Sequence, residues 1–94
     1  MNLLCVDTSS NTLDLAIIKD NQIVDSITQD VEKGHSAILL QEVDRLLRLN
    51  NIKPKDIDAF VSTTGPGSFT GTRVGTAFVL GLARGLGKKA YGIR

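Results

Sequence analysis

Asn2–Asp30 reads NLLCVDTSSNTLDLAIIKDNQIVDSITQD, and its three β-rich runs decide the fold class. Asn2–Asp7 is a short apolar run that ends in an acid. The polar cluster Thr8-Ser9-Ser10-Asn11 follows it, so the pattern is a buried strand and a turn. Leu13–Lys19 is rich in aliphatic residues and alternates in part. Asp20-Asn21 is a two-residue turn of the hairpin kind. Gln22–Asp30 then continues as a third strand. Strict alternation would put Ile23, Asp25 and Ile27 on one side and Val24, Ser26 and Thr28 on the other. Three strands joined by tight turns predict an antiparallel meander.

Downstream of the meander the period changes from two to 3.6. A helix is expected from Ser36 to Asn50, because Leu39, Leu40, Val43, Leu46 and Leu47 fall within roughly 120° of arc at about 100° per residue. Gln41, Asp44, Arg45 and Arg48 lie opposite. Asn50-Asn51 is a C-terminal stop and Lys53–Asp56 a connector. Asp58–Thr63 is a fourth strand, Thr70–Gly85 a second helix and Lys88–Ile93 a fifth strand. The order is βββαβαβ. The fifth strand is followed by no further turn or helix, which leads us to expect the N-terminal lobe, residues 1–94, of a two-lobed protein.

Composition narrows the function classes. Lys and Arg number 11 and Asp and Glu 10 among 94 residues, a net charge of +1, too balanced for an autonomous polybasic grip on nucleic acid or anionic membranes. One Tyr and no Trp leave few bases a stacking platform. Apolar residues make up 41% and charged ones 22%, which is ordinary globular composition. A single Cys rules out an internal disulfide, and with a single His it leaves no familiar four-ligand zinc site. Arg73 and Arg84 interrupt the longest apolar stretch, and the N-terminus opens directly into strand-like sequence, so a cytoplasmic protein without a membrane span is expected.

The second helix is apolar nearly all round. Val74, Phe78 and Leu82 share one face, with Gly85 beside them. Thr72, Thr76, Val79, Leu80 and Ala83 fill much of the other, and only Arg73 and Arg84 mark a polar edge. Such a helix is covered nearly all round. The cover is either the sheet and the first helix, or in part a partner or a second copy. Glycines at 71, 75, 81 and 85 weaken a helix by about 1 kcal/mol each relative to Ala. Their i, i+4 spacing makes smooth grooves for a close neighbour.

Two segments could carry chemistry. Gly65–Gly71 (GPGSFTG) stands between a strand and a helix, where backbone amides receive anions well. It lacks the P-loop lysine, and Thr70 occupies the last position of a G-x-G-x-x-G pattern. It is either a tight turn or a phosphate cradle, with Ser68 or Thr70 capping the helix. Asp7-Thr8-Ser9-Ser10 is the other segment: an acid at a strand's carboxyl end can hold a metal-bound water. His35 reads as a local cap and Cys5 as a core filler.

Asp7-Thr8-Ser9 after the first strand, His35 at a helix start and, above all, Gly65–Gly75 (GPGSFTGTRVG) together resemble the TsaB family, also called YeaZ. These proteins are the non-catalytic subunit of the bacterial machinery for threonylcarbamoyladenosine (t6A37) in tRNA. The resemblance runs through all 94 residues and implies a ribonuclease H-like lobe of the actin/Hsp70 (ASKHA) kind, α/β, with a five-stranded mixed sheet. It implies a scaffold or activator that dimerises with a TsaD-type catalytic paralogue. A TsaE-type ATPase joins that complex, the chain self-associates when alone, and tRNA is met only through the complex. It implies no catalytic residue, no cofactor and no metal in this chain. The contact is expected on the two helices, at Leu40, Val43, Leu47, Thr76, Val79, Leu80 and Ala83. The alternative is an actin-like phosphate- or ATP-binding lobe, in which Asp7, Thr8, Ser9, Gly65, Gly67 and Ser68 would meet the phosphates.

Overall fold

The computed structural model describes residues 1–8, 12–30, 35–63 and 69–93, with side chains described for 1–8, 12–29, 38–62 and 76–92. Five strands, β1 (Asn2–Asp7), β2 (Thr12–Lys19), β3 (Gln22–Asp30), β4 (Ala59–Thr63) and β5 (Lys89–Ile93), form one sheet in the order β3-β2-β1-β4-β5. β1–β2 and β2–β3 pair antiparallel, while β1–β4 and β4–β5 pair parallel. Helices α1 (His35–Leu49) and α2 (Phe69–Leu86) supply the crossovers that parallel strands need.

Local chemistry fixes the ends of these elements. Asp20 and Asn21 both have positive φ, 51° and 67°. Their twist suits a two-residue hairpin turn that brings Lys19 opposite Gln22. α1 ends in a Schellman motif: Ile52 N–H donates to Leu47 O at 2.9 Å and Asn51 N–H to Arg48 O at 3.1 Å, with Asn51 left-handed at φ 55°. α2 ends the same way around Gly87, at φ 68°, with Lys88 N–H donating to Ala83 O at 2.8 Å. The start of β1 is tied to the entry of β4. Asn2 N–H donates to Asp58 Oδ2 at 2.7 Å, and Asp58 N–H returns a bond to Asn2 O at 2.8 Å.

Alternation along the strands creates two unequal faces. Leu4, Val6, Leu13, Leu15, Ile17 and Phe60 point to one face and are buried under Leu39, Val43, Leu46 and Leu47 of α1 and Val79 and Ala83 of α2. α1 and α2 also pack on each other. The other face carries Leu3, Cys5, Ala16, Ile18 and Val61, all half-buried. Cys5 therefore stands on the open face and not in the core, because it is out of phase with Leu4 and Val6. Its partial burial pushes the thiol pKa up.

β3 departs from strict alternation. The register shifts between Ile17 and Ile18: Ile17 lies opposite Asp25 and Ile18 opposite Ile23, so Val24 is an extra residue in a bulge. Ile23 is thereby turned to the open face and is exposed, while Ile27, opposite Leu15, packs against the core. The two isoleucines expected on one side stand on opposite sides.

Candidate functional site

The carboxyl edge of the sheet gathers the first set of candidate residues. β1 and β4 run parallel with Val6 level with Ser62, so Asp7 ends its strand on the edge from which the chain leaves β4 towards α2. Asp7 lies opposite Asp14 of β2. Both share the phase of Cys5 and Ala16, on the face away from the helices. There a cleft of about 280 Å³ is lined by Cys5, Asp7, Asp14, Ala16, Ser26, Thr28 and Val61, among others. Thr28 Oγ1 donates to Asp14 Oδ1 at 2.7 Å, and Thr12 Oγ1 donates to Asp14 Oδ2 at 3.3 Å. These hydroxyls fix the Asp14 carboxylate against the sheet. Thr8 points the other way and is buried. The sequence alone does not mark Asp14 or Thr28 as site residues, although the alternation of Leu13–Lys19 places Asp14 opposite in phase to the core leucines.

Ser9, Gly65, Gly67 and Ser68 lie outside the described residues, as does the side chain of His35. Among the described residues no group of three or more His, Cys, Asp or Glu side chains could hold a metal ion. Two carboxylates side by side can accept protons or hydrogen bonds, or share a cation with further ligands.

The helical layer gathers the second set, and here the structure narrows the expected interface. Val43, Leu47, Val79 and Ala83 are buried in the core of this lobe. They form the side of each helix that rests on the sheet, so they are not surface residues. The cause is the helical phase of α2. A helix apolar all round does not announce which side meets the sheet, and the side carrying Val79 and Ala83 does so, with Phe78, Leu82 and Leu86 partly buried beside it. Leu40 remains 60% exposed, Leu80 is 43% exposed and Thr76 is half-buried. At about 100° per residue Leu40 lies only 20° beyond Leu47, at the margin of the apolar arc.

Exposed on α2 are Ala77, Leu80, Gly81, Arg84 and Gly85, a continuous i, i+3, i+4 stripe. Among the described residues, a Cβ built on Gly81 or Gly85 would meet nothing within 4 Å beyond its own helix, so no described neighbour calls for a glycine at either position. The outer face of α1 is charged, with Arg45 paired to Glu42 at 3.0 Å and Arg48 paired to Asp44. No helix among the described residues is long and apolar enough to cross a membrane.

Comparison with known proteins agrees with this architecture. A family model described as "TsaD: tRNA N6-adenosine threonylcarbamoyltransferase" matches residues 22–94. The tRNA threonylcarbamoyladenosine biosynthesis protein TsaB of Bacillus subtilis is 33% identical over 83 residues, which span 88% of this chain and 36% of that protein. Among solved structures, YeaZ from Pseudomonas aeruginosa superposes with a TM-score of 0.89 at 29% identity, over 98% of this chain and 43% of that one. RuvC from Thermus thermophilus, at 14% identity and a TM-score of 0.56 over 98% of this chain and 62% of its own, shares the fold alone. The meander, the two parallel additions and the helices on one face define a ribonuclease H-like fold. The chain belongs to the TsaB/YeaZ group of the TsaD family, and it spans less than half the length of the Bacillus and Pseudomonas relatives.

Proposed function

We propose that this chain is the N-terminal lobe of a two-lobed, non-catalytic subunit for tRNA threonylcarbamoyladenosine synthesis. In this reading it dimerises with a TsaD-type transferase through the exposed side of its helical layer and scaffolds or activates that enzyme. A TsaE-type ATPase joins the pair, the chain self-associates in the partner's absence, and tRNA is engaged only through the complex. The observation that carries the reading is the outer surface of α2. Leu80 is exposed between Ala77, Gly81 and Gly85, and among the described residues nothing beyond their own helix lies within 4 Å of where a Cβ would stand on either glycine. Apolar and small residues in one exposed stripe suit a closely approaching partner surface.

The test is size-exclusion chromatography with light scattering on this chain mixed with the TsaD-type protein of the same organism. A peak with the mass of a complex is expected, lost in Leu40→Asp and Leu80→Asp variants whose circular dichroism stays native. Association untouched by either variant would remove the helical layer as the contact.

A second reading rests on the cleft beside Asp7 and Asp14: an actin-like phosphate- or ATP-binding lobe using Asp7 and the Gly65–Gly71 loop. Calorimetry with Mg-ATP separates the two. Binding heat that disappears in Asp7→Asn would favour the nucleotide reading, and absence of heat at millimolar ligand would dismiss it for this chain.

A further inference from the structure

We draw no further inference here: the strongest candidate, the half-apolar groove on the sheet face away from the helices, lined by Leu3, Cys5, Ile18, Val61 and Tyr91 among others, carries nothing because nothing in the structure shows what covers it.

Discussion

The Asn50 side chain joins two distant parts of the lobe: its Nδ2 donates to Asp25 Oδ2 at 2.9 Å and to Leu46 O at 2.8 Å. One amide thus closes the last turn of α1 and fastens it to β3, 25 residues upstream. The bond depends on the bulge at Val24, which turns Asp25 to the helical face opposite Ile17. Replacing Asn50 by Ala removes both bonds and leaves the Leu46 carbonyl and the Asp25 carboxylate to water. Asn50→Ala should cost about 1–2 kcal/mol. Urea unfolding with Asp25→Ala and the double variant gives the coupling energy. Strictly additive losses would mean that the helix-to-strand bond contributes nothing.

Much of this architecture is legible in the residues. Asp20-Asn21 announces the hairpin because few non-glycine residues accept positive φ, and Asn is among those that do. The α1 face is legible because Leu39, Val43, Leu46 and Leu47 are set against charges. The bulge is not legible: Gln22–Asp30 alternates acceptably in either phase, and the extra residue is selected by what β2 and α1 offer across the sheet. The orientation of α2 is not legible either. Its apolar girdle leaves the choice of side to β1, β4 and β5, against which it packs, and that choice placed Val79 and Ala83 inside. Of the candidate sites, Asp7 could be found from its place at a strand end, whereas its pairing with Asp14 needed the β1–β2 register.

The orientation of α2 separates neighbouring positions sharply. Val79 is buried and Leu80 is exposed. Val79→Asp would place an unpaired charge in the core at a cost of ~3–5 kcal/mol, a large share of the stability of a lobe this small. Leu80→Asp should change stability by no more than about 0.5 kcal/mol. Thermal unfolding followed by circular dichroism reads both. A Val79→Asp protein as stable as the parent would mean that the opposite side of α2 faces the sheet.

The Met1 ammonium donates to Asp20 Oδ1 at 2.8 Å, and Asp20 N–H donates to Met1 O at 3.2 Å. The hydrogen bond to Asp20, reinforced by its charge, raises the ammonium pKa above the ordinary 8.0. The same contact lowers the Asp20 pKa below 3.8. The ammonium's contribution to stability is complete below 8.0 and is lost as pH rises through its raised folded value. The Asp20 contribution is present above 3.8 and is lost as pH falls through its lowered folded value. The pair therefore acts between these limits, and because both groups are exposed its effect on stability is small. Asp20→Asn should return the ammonium titration towards 8.0 in an NMR pH series. An unchanged titration would show that the contact does not form in solution.

The glycines near the end of α2 divide by what surrounds them. Gly87 has φ 68°, which L side chains adopt only under strain. Gly87→Ala should therefore destabilise by about 1 kcal/mol, although among the described residues nothing beyond its chain neighbours stands within 4 Å of the added methyl. Gly81 is helical, exposed and equally uncrowded. Gly81→Ala should stabilise the isolated chain by about 0.5–1 kcal/mol, because Ala loses less backbone entropy on entering a helix. If a partner's backbone lies against this stripe, the same methyl holds it away. Gly81→Ala would then weaken association with the TsaD-type protein while raising the midpoint of thermal unfolding. Opposite signs in the two measurements tie the glycine to the interface. A gain in stability with undiminished association would place the partner elsewhere on the helical layer, nearer Leu40.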